Sequence, residues 1–467
     1  MICDLSISDY HYDKIKAHLF PGDGKEAVAL ALCGKYICQD KIRLLVNDIF
    51  LVPYAECTQR SAGKVVWNFS CIQSLLLRAS KEELSILYIH SHPTGYNNFS
   101  SKDDANDLIL YDTFYGFSEK GPHASAIMLP DGRIFGRVWV WGEEYKFLPI
   151  RCVKFVGDDV RFWFSDVSEK KENSGFSLRT IQTFGQGTFD LLQKLKIAVI
   201  GTSGTGAPVI EQLYRIGVGT LVIIDPDRVE EKNLNRIIHA TKRDAEKRRF
   251  KTTVLKQAIK KAGLGTKVID FHKNLYDDPK VLQSIADCDF IFGCVDSIDG
   301  RHLLNQLASF YLIPYIDMGV RLESDGKGGI ESIFFMVQYL KPFGSSFATR
   351  NLYSREELRA ASLLRSAPEE YRRMRKIGYI ADLPLDNPAV ISFDMQTATF
   401  AVNDFLARIH SFRYDPNGEY AIMRFNVTGC YMLYEKEEDY EQDKYLAQYT
   451  GRGDMKPMLN MPELQSH

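Results

Sequence analysis

The chain has 467 residues, which is enough for about two to four domains of ordinary size. Hydrophobic residues make up 45% and charged residues 25%, and the formal net charge is -2, so nothing in the balance calls for nucleic acid or an anionic membrane as partner. The nine cysteines are scattered, odd in number and form no CxxC pair, which argues against a disulfide framework or a Cys-rich zinc site and suits a reducing, cytoplasmic setting.

No run of about twenty apolar residues suggests a membrane span. The start, MICDLSISDYHYDKIK, has charges inside the would-be apolar stretch, so no signal peptide is expected. Residues 1–165 read as an α+β domain. EAVALAL (26–32) and IRLLVNDIFLV (42–52) have the composition of strands, and SKEELSILYIHSHP (80–93) suggests a short helix capped by Ser80 that runs into a strand. ASAIMLP followed by DGRIFGRVWVW predicts a hairpin turning at Asp131-Gly132. The polar run SEKKENSG marks a linker, placed at 166–177.

From 178 to 430 the pattern changes. KIAVIG (196–201), TLVIID (220–225), KVID (267–270), DFIFGCVD (289–296) and IPYIDMG (313–319) are short apolar strands with helix-compatible segments between them, the mark of βαβ units and a mostly parallel sheet. Residues 352–376 are charged and helix-prone, and 389–409 suggest a buried helix. The remainder, 431–467, reads as a polar tail expected to fray.

The sharpest chemical signal is His90-Ser-His92-Pro followed by Ser100 and Asp103. Two histidines at i and i+2 on a strand share a face, and an aspartate after the next turn supplies a third ligand. Three protein ligands with an open fourth position make a catalytic rather than a structural zinc site. Glu26, after the glycine-rich turn PGDGK, is placed to carry protons, and Ser100 to donate to a developing oxyanion. The spacing H-x-H-x7-S-x2-D with an upstream Glu resembles the JAMM metalloprotease motif. That resemblance implies a cytidine-deaminase-like α+β fold, zinc held by His90, His92 and Asp103, Glu26 as acid/base, and cleavage of isopeptide or C-terminal bonds of ubiquitin-like proteins.

The second signal is a strand that runs into Gly201, Gly204 and Gly206, a turn that lets backbone amides approach a phosphate. A serine stands where the dinucleotide fingerprint has its second glycine. Asp225, ending the next strand, suits a ribose hydroxyl and fits NAD as well as ATP. Asn233, Asn235, Arg236, Lys251, Asp296 and Arg301 point away from NAD, because hydride transfer has no use for that set. Adenylation uses two cations for a triphosphate and a carboxylate for magnesium. Residues 177–410 resemble the ThiF/MoeB and ubiquitin-activating adenylation fold, a Rossmann-like architecture. The resemblance implies ribose binding by Asp225, phosphate binding by Arg236 and Lys251, magnesium on Asp296, and a pocket lined by Asn233 and Asn235. It also implies that Arg179 reaches the partner subunit's ATP site in a homodimer.

The pattern breaks after the sheet. The crossover segment 341–350 has no cysteine, and none occurs between Cys294 and Cys430. Three routes stay open for the activated carboxylate. It passes to a partner thiol or amine, with a conjugating enzyme among the candidates; it forms an oxyester on Ser345 or Ser346; or Cys430 swings in, although FNVTGCYML reads as a buried strand. Cys288 and Cys294 read as packing. The combined expectation is a bifunctional enzyme that activates and processes a ubiquitin-like protein. By fold-level analogy it belongs to bacterial conjugation or antiphage-defence operons. The alternatives are sulfur-carrier activation in cofactor biosynthesis, a scaffold with inert sites, and an NAD-dependent oxidoreductase.

Overall fold

The structure, a computed structural model, describes residues 1–119, 121–140, 146–165, 175–324, 329–376, 380 and 390–464. The chain divides into two compact units. The first comprises Met1–Lys170, Phe310–Leu312 and Tyr449–Asn460; the second comprises Lys171–Ser309, Ile313–Gln448 and Met461–His467. Residues 166–174 of the expected linker lie outside the described residues, and Gly175–Ser177 form a short helical turn.

In chain order the first unit has β1 (Ile2–Ser8), α1 (Asp9–Leu19), β2 (Val28–Cys38), β3 (Lys41–Leu51), a small hairpin of β4 (Cys57–Ser61) and β5 (Lys64–Trp67), and α2 (Gln73–Lys81). Then come β6 (Ser85–Ser91), α3 (Ser101–Phe117), β7 (His123–Met128), β8 (Ile134–Val140), β9 (Lys146–Val156) and β10 (Val160–Phe164). The main sheet runs β1-β3-β2-β6-β7-β8-β9-β10, and β1 also pairs with β9 in parallel. The sheet therefore closes on itself, which the expectation of an α+β domain did not include. Closure removes the two unpaired edges that β1 and β9 would otherwise present.

One apolar cluster draws Leu5, Ala29, Leu44, Leu87, Ala126, Val138 and Val153 from the seven strands of the ring, with Tyr12, Ile15 and Leu19 of α1. A second, on the opposite face, joins Val28, Leu30, Ile86 and Tyr88 to Leu76 of α2 and Phe114 of α3. The alternation along β2 and β6 thus feeds two cores. Ser80 does not cap a helix, because it lies in the last turn of α2 and the chain reverses at Glu83 (φ +54°) before β6. The hairpin at Asp131-Gly132 forms as expected, with Gly132 at φ +88°.

The expected frayed tail is also revised. Residues 449–460 are an integral part of the first unit. Gly34 N–H donates to Gly451 O (3.1 Å), Asn47 Nδ2 to Thr450 O (2.8 Å), and Ile37 N–H to Asp454 Oδ2 (2.7 Å). Arg452 pairs with Glu82.

The second unit begins with α4 (Leu178–Phe184) and α5 (Gln186–Lys194). It continues through β11 (Lys196–Ile200), α6 (Gly206–Arg215), β12 (Thr220–Ile224), α7 (Lys242–Glu246), α8 (Lys251–Ala262), β13 (Lys267–Phe271), α9 (Pro279–Ala286), β14 (Phe290–Gly293), α10 (Ile298–Phe310), β15 (Tyr315–Ser324) and β16 (Ile330–Leu340). It ends with α11 (Arg355–Ser366), α12 (Pro368–Lys376), α13 (Ile391–Ile409), β17 (Ile422–Asn426), β18 (Tyr431–Glu435) and α14 (Lys444–Ala447).

The sheet order is β13-β12-β11-β14-β15-β16-β17-β18. The five strands expected from the sequence run parallel, and β16 to β18 extend them antiparallel. Strand order reverses between β11 and β14, the switch point where open α/β sheets bind ligands at their carboxyl ends. Cys430 is exposed, at φ +54° in the turn between β17 and β18, and is not the buried strand residue expected of it. The buried helix predicted over 389–409 is α13, which packs on α6.

Candidate functional site

The first site is assembled by β6 and the start of α3. β6 is buried along its whole length, and its register sets His90 opposite Val28 of β2 and Ile127 of β7. Ser91 points the other way, and its Oγ accepts the Ala27 N–H (3.0 Å). That bond fixes the chain next to Glu26, whose own N–H donates to Ser61 O (2.8 Å) and whose carbonyl accepts Arg60 Nε (2.9 Å).

His90 Nε2 lies 3.1 Å from His92 Nε2 and 3.1 Å from Asp103 Oδ1, and His92 Nε2 lies 3.5 Å from Asp103 Oδ2. Zinc bonded tetrahedrally at about 2.0–2.1 Å sets its ligands about 3.4 Å apart, so these residues fit the ion. Among the described residues they form the group of three suited to a metal. His92 Nδ1 is 2.7 Å from Tyr96 O, which puts the proton on Nδ1 and leaves Nε2 a free lone pair. His90 Nδ1 is buried without a partner, so only one of the two rings has such support.

Asp103 and Ser100 also form the capping box of α3. Ser100 N–H donates to Asp103 Oδ2 (2.6 Å), and Asp103 N–H donates to Ser100 Oγ (3.3 Å). Asp103 thus belongs both to the end of α3 and to the group of three with His90 and His92. Glu26 is 8% exposed, and burial pushes its carboxyl up against the opposing pull of His90 and His92.

The second site lies at the carboxyl ends of β11, β12 and β14. Gly201 follows β11 at φ +88°. A Cβ on Gly206 would stand 1.9 Å from Gly201 O, so the loop closes too tightly there for any side chain. Asp225 follows β12 and is buried. Its Oδ2 accepts Thr202 N–H (2.8 Å) and Thr202 Oγ1 (3.1 Å), and its Oδ1 accepts Asp227 N–H (2.9 Å). Burial raises its carboxyl, with Lys251 and these amides opposing.

Lys251 is buried rather than solvated, its Nζ 2.7 Å from Asp227 Oδ2 and 3.7 Å from Asp225 Oδ1. Arg301 is held by Asp317 (3.2 Å), so it too is not a free surface cation. Asn233 is buried, and its side chain accepts Glu230 N–H (3.0 Å) in a turn. Arg236 bonds Asn235 Oδ1 and Lys232 O, both at 3.2 Å. Asp296, after β14, is exposed, as is Arg179 on α4, which donates to Gln182 Oε1 (2.9 Å).

Ser345 and Ser346 are each 3% exposed. Ser345 Oγ accepts Arg350 Nε (2.8 Å), and Ser346 Oγ donates to Asp443 Oδ2 (2.6 Å). Asp443 is a carboxylate neighbour of Ser346 that the sequence did not reveal. Both hydroxyls are enclosed, so an acyl group reaches neither without rearrangement.

Asp394 of α13 was not singled out from the sequence. A Cβ on Gly204 would meet Asp394 Oδ2 at 2.4 Å, so this carboxylate lies directly on the glycine loop. An aspartate in an apolar helical run reads as an ordinary polar interruption, and nothing in the pattern marks which loop it faces.

Residues 177–354 match the ThiF family. The ThiF segment starts just before α4 and stops just before α11. Over 149 residues the chain is 31% identical to the adenylyltransferase and sulfurtransferase UBA4 of Meyerozyma guilliermondii, covering 32% of this chain and 34% of that protein. It is 31% identical over 134 residues to the SAMP-activating enzyme E1 of Haloferax volcanii, covering 28% of this chain and 47% of that protein. It is 27% identical over 139 residues to SUMO-activating enzyme subunit 2 of Dictyostelium discoideum, covering 30% and 21%. The chain thus spans about a third of the length of the first of these relatives. A crystal structure of E. coli MccB with ATP aligns at TM-score 0.43 and 16% identity, covering 57% of this chain and 72% of that one. No helix among the described residues is long and apolar enough to cross a membrane.

Proposed function

We propose that the second unit adenylates the C-terminal carboxylate of a small carrier protein, of the ubiquitin-like or sulfur-carrier kind. The observation that carries this reading is the convergence of the glycine loop, Asp225 and Lys251 at the switch point of the ThiF segment. In the mechanism Asp225 bonds the ribose, Arg236 and Lys251 take the phosphates, and the α6 amides face the triphosphate. Asp296 would hold magnesium, whose charge would offset that of the departing pyrophosphate. The substrate carboxylate attacks the α-phosphorus, giving acyl-adenylate and pyrophosphate. The name of the UBA4 relative joins adenylyl transfer to sulfur transfer, which favours sulfur-carrier activation over ubiquitin-like conjugation. With Ser345 and Ser346 enclosed, the adenylate passes to a nucleophile from outside the unit, such as a carrier thiol, an amine or a conjugating enzyme. Arg179 completes the site from a second copy in a homodimer.

ATP–pyrophosphate exchange with a panel of carrier proteins tests this. Exchange with one carrier, abolished in Asp296→Ala, is expected; no exchange with any carrier sinks the reading.

A second reading is favoured by the triangle of His90, His92 and Asp103. The first unit acts as a JAMM-type zinc isopeptidase that trims or removes the same carrier. Zinc supplies a Lewis acid and a more acidic water. Glu26 receives the water's proton and delivers it to the leaving amine, its carboxyl raised by burial. Ser100 donates its hydroxyl proton towards the oxyanion. Cleavage of an isopeptide-linked conjugate, lost in Glu26→Gln with zinc retained, is the expected result; a zinc-free protein refutes it.

A further inference from the structure

α13 carries two buried aspartates in different circumstances. Asp404 is neutralised by Arg408 (2.9 Å) and Arg413 (2.8 Å). Asp394 is 4% exposed, and its Oδ2 has no hydrogen-bond partner. A buried carboxylate without a partner is costly, and such groups concentrate where a ligand completes them. Asp394 lies against Gly204, and the neighbouring Ser203 Oγ is a second buried oxygen without a partner. Two unsatisfied oxygens, one anionic and one hydroxyl, thus stand on the loop that opens α6.

That loop is an anion cradle. A bare carboxylate facing a triphosphate repels it unless a cation or a proton intervenes. Arg236 is the charge that opposes the burial of Asp394, which pushes the carboxyl up to about 6. A phosphate that engages Arg236 removes this compensation. A carboxylate and a hydroxyl at a phosphate loop are hard oxygen donors of the kind magnesium takes, as P-loop enzymes use a loop Ser/Thr and an aspartate.

Resting on the adenylation reading, we propose that Ser203 and Asp394 form a divalent-cation site under the nucleotide phosphates, separate from Asp296. The cation would bridge the protein oxygens to phosphate oxygens and turn a repulsive carboxylate into a ligand.

The test is calorimetric titration of the full chain with ATP, in Mg2+ and in EDTA, for the wild type, Asp394→Asn and Ser203→Ala. Electron paramagnetic resonance of Mn2+ with ATP provides a second readout. In the wild type Mg2+ should tighten ATP binding. Both variants should lose at least about tenfold of that gain. Asp394→Asn should bind ATP in EDTA at least as tightly as the wild type, and its Mn2+ signal should lose coordination. The proposal is overturned if Asp394→Asn keeps the full Mg2+ gain while Asp296→Ala loses it. It is also overturned if wild-type ATP binding in Mg2+ takes up a proton, seen as buffer-dependent enthalpy, because the carboxylate is then neutralised without a metal. Failure of the wild type to bind ATP at all would remove the nucleotide reading itself and this inference with it.

Discussion

Lys251 Nζ bonds Asp227 Oδ2 at 2.7 Å, an ion pair in which the lysine is buried and the aspartate is two-thirds exposed. The pair holds the ammonium at the lip of the glycine loop, with Asp225 behind it. The exposed aspartate is a partner that solvent, or a phosphate, can replace at little cost.

Lys251→Met should therefore weaken ATP binding strongly. Loss of a buried, charge-assisted contact costs about 2 kcal/mol or more, roughly thirtyfold in Kd. Titration with ATP measures it, and an unchanged affinity would exclude Lys251 as a phosphate ligand.

Gly206→Ala places a methyl group where Gly201 O already stands, at 1.9 Å. Two backbone segments cannot part without opening the loop. The expected cost is about 1–3 kcal/mol of stability, with loss of ATP binding. Denaturant titration gives the first quantity and calorimetry the second.

Ser100 and His90 separate cap from ligand. Ser100→Ala removes the N-cap of α3, so about 1 kcal/mol of stability should go while zinc stoichiometry holds. His90→Ala should remove zinc. Metal analysis of both purified variants decides; equal zinc loss in the two would mean that the cap positions Asp103.

Asp4 tests the closure of the barrel. It is fully buried on β1, and Arg151 of β9 donates to it from Nη2 (2.8 Å) and Nε (3.1 Å). Burial alone would raise its carboxyl, but Lys154, Arg151 and Lys41 together outweigh that and hold it below the usual range. A depressed folded-state pKa contributes stability above the unfolded value, near 3.8, and loses it as pH falls through the folded value. Asp4→Asn should thus cost about 3 kcal/mol at neutral pH and progressively less in acid below the unfolded pKa. Denaturant midpoints across that range are the measurement, and a pH-independent deficit would assign the effect to packing.

The parallel strands of the second unit were legible because each is a short apolar run closed by a glycine or an aspartate at the ligand-binding end. The triangle of His90, His92 and Asp103 was legible because His90 near the end of β6 and His92 just beyond it are two residues apart, and Asp103 lies in the first turn of the next helix. Barrel closure was not, because β1 and β9 are far apart in sequence and pairing between them leaves no local signal. Ser80 misled because a serine before Glu and Leu suits a helix start as well as a last turn. Asp394 stayed hidden since its meaning depends on Gly204, which is remote in the chain.

The first unit takes Tyr449–Asn460 as one of its parts, and Gly34 and Ile37 of β2 donate backbone amides to it. During synthesis the strands of that unit leave the ribosome long before this segment exists. Until then those amides lack these partners, and the first unit is complete only once residues 449–460 have been made. In the ordinary course an N-terminal domain folds while the rest is still being made; here that domain would do so without one of its own segments. A release of the nascent chain before residue 449 would yield a first unit lacking a segment of its own structure.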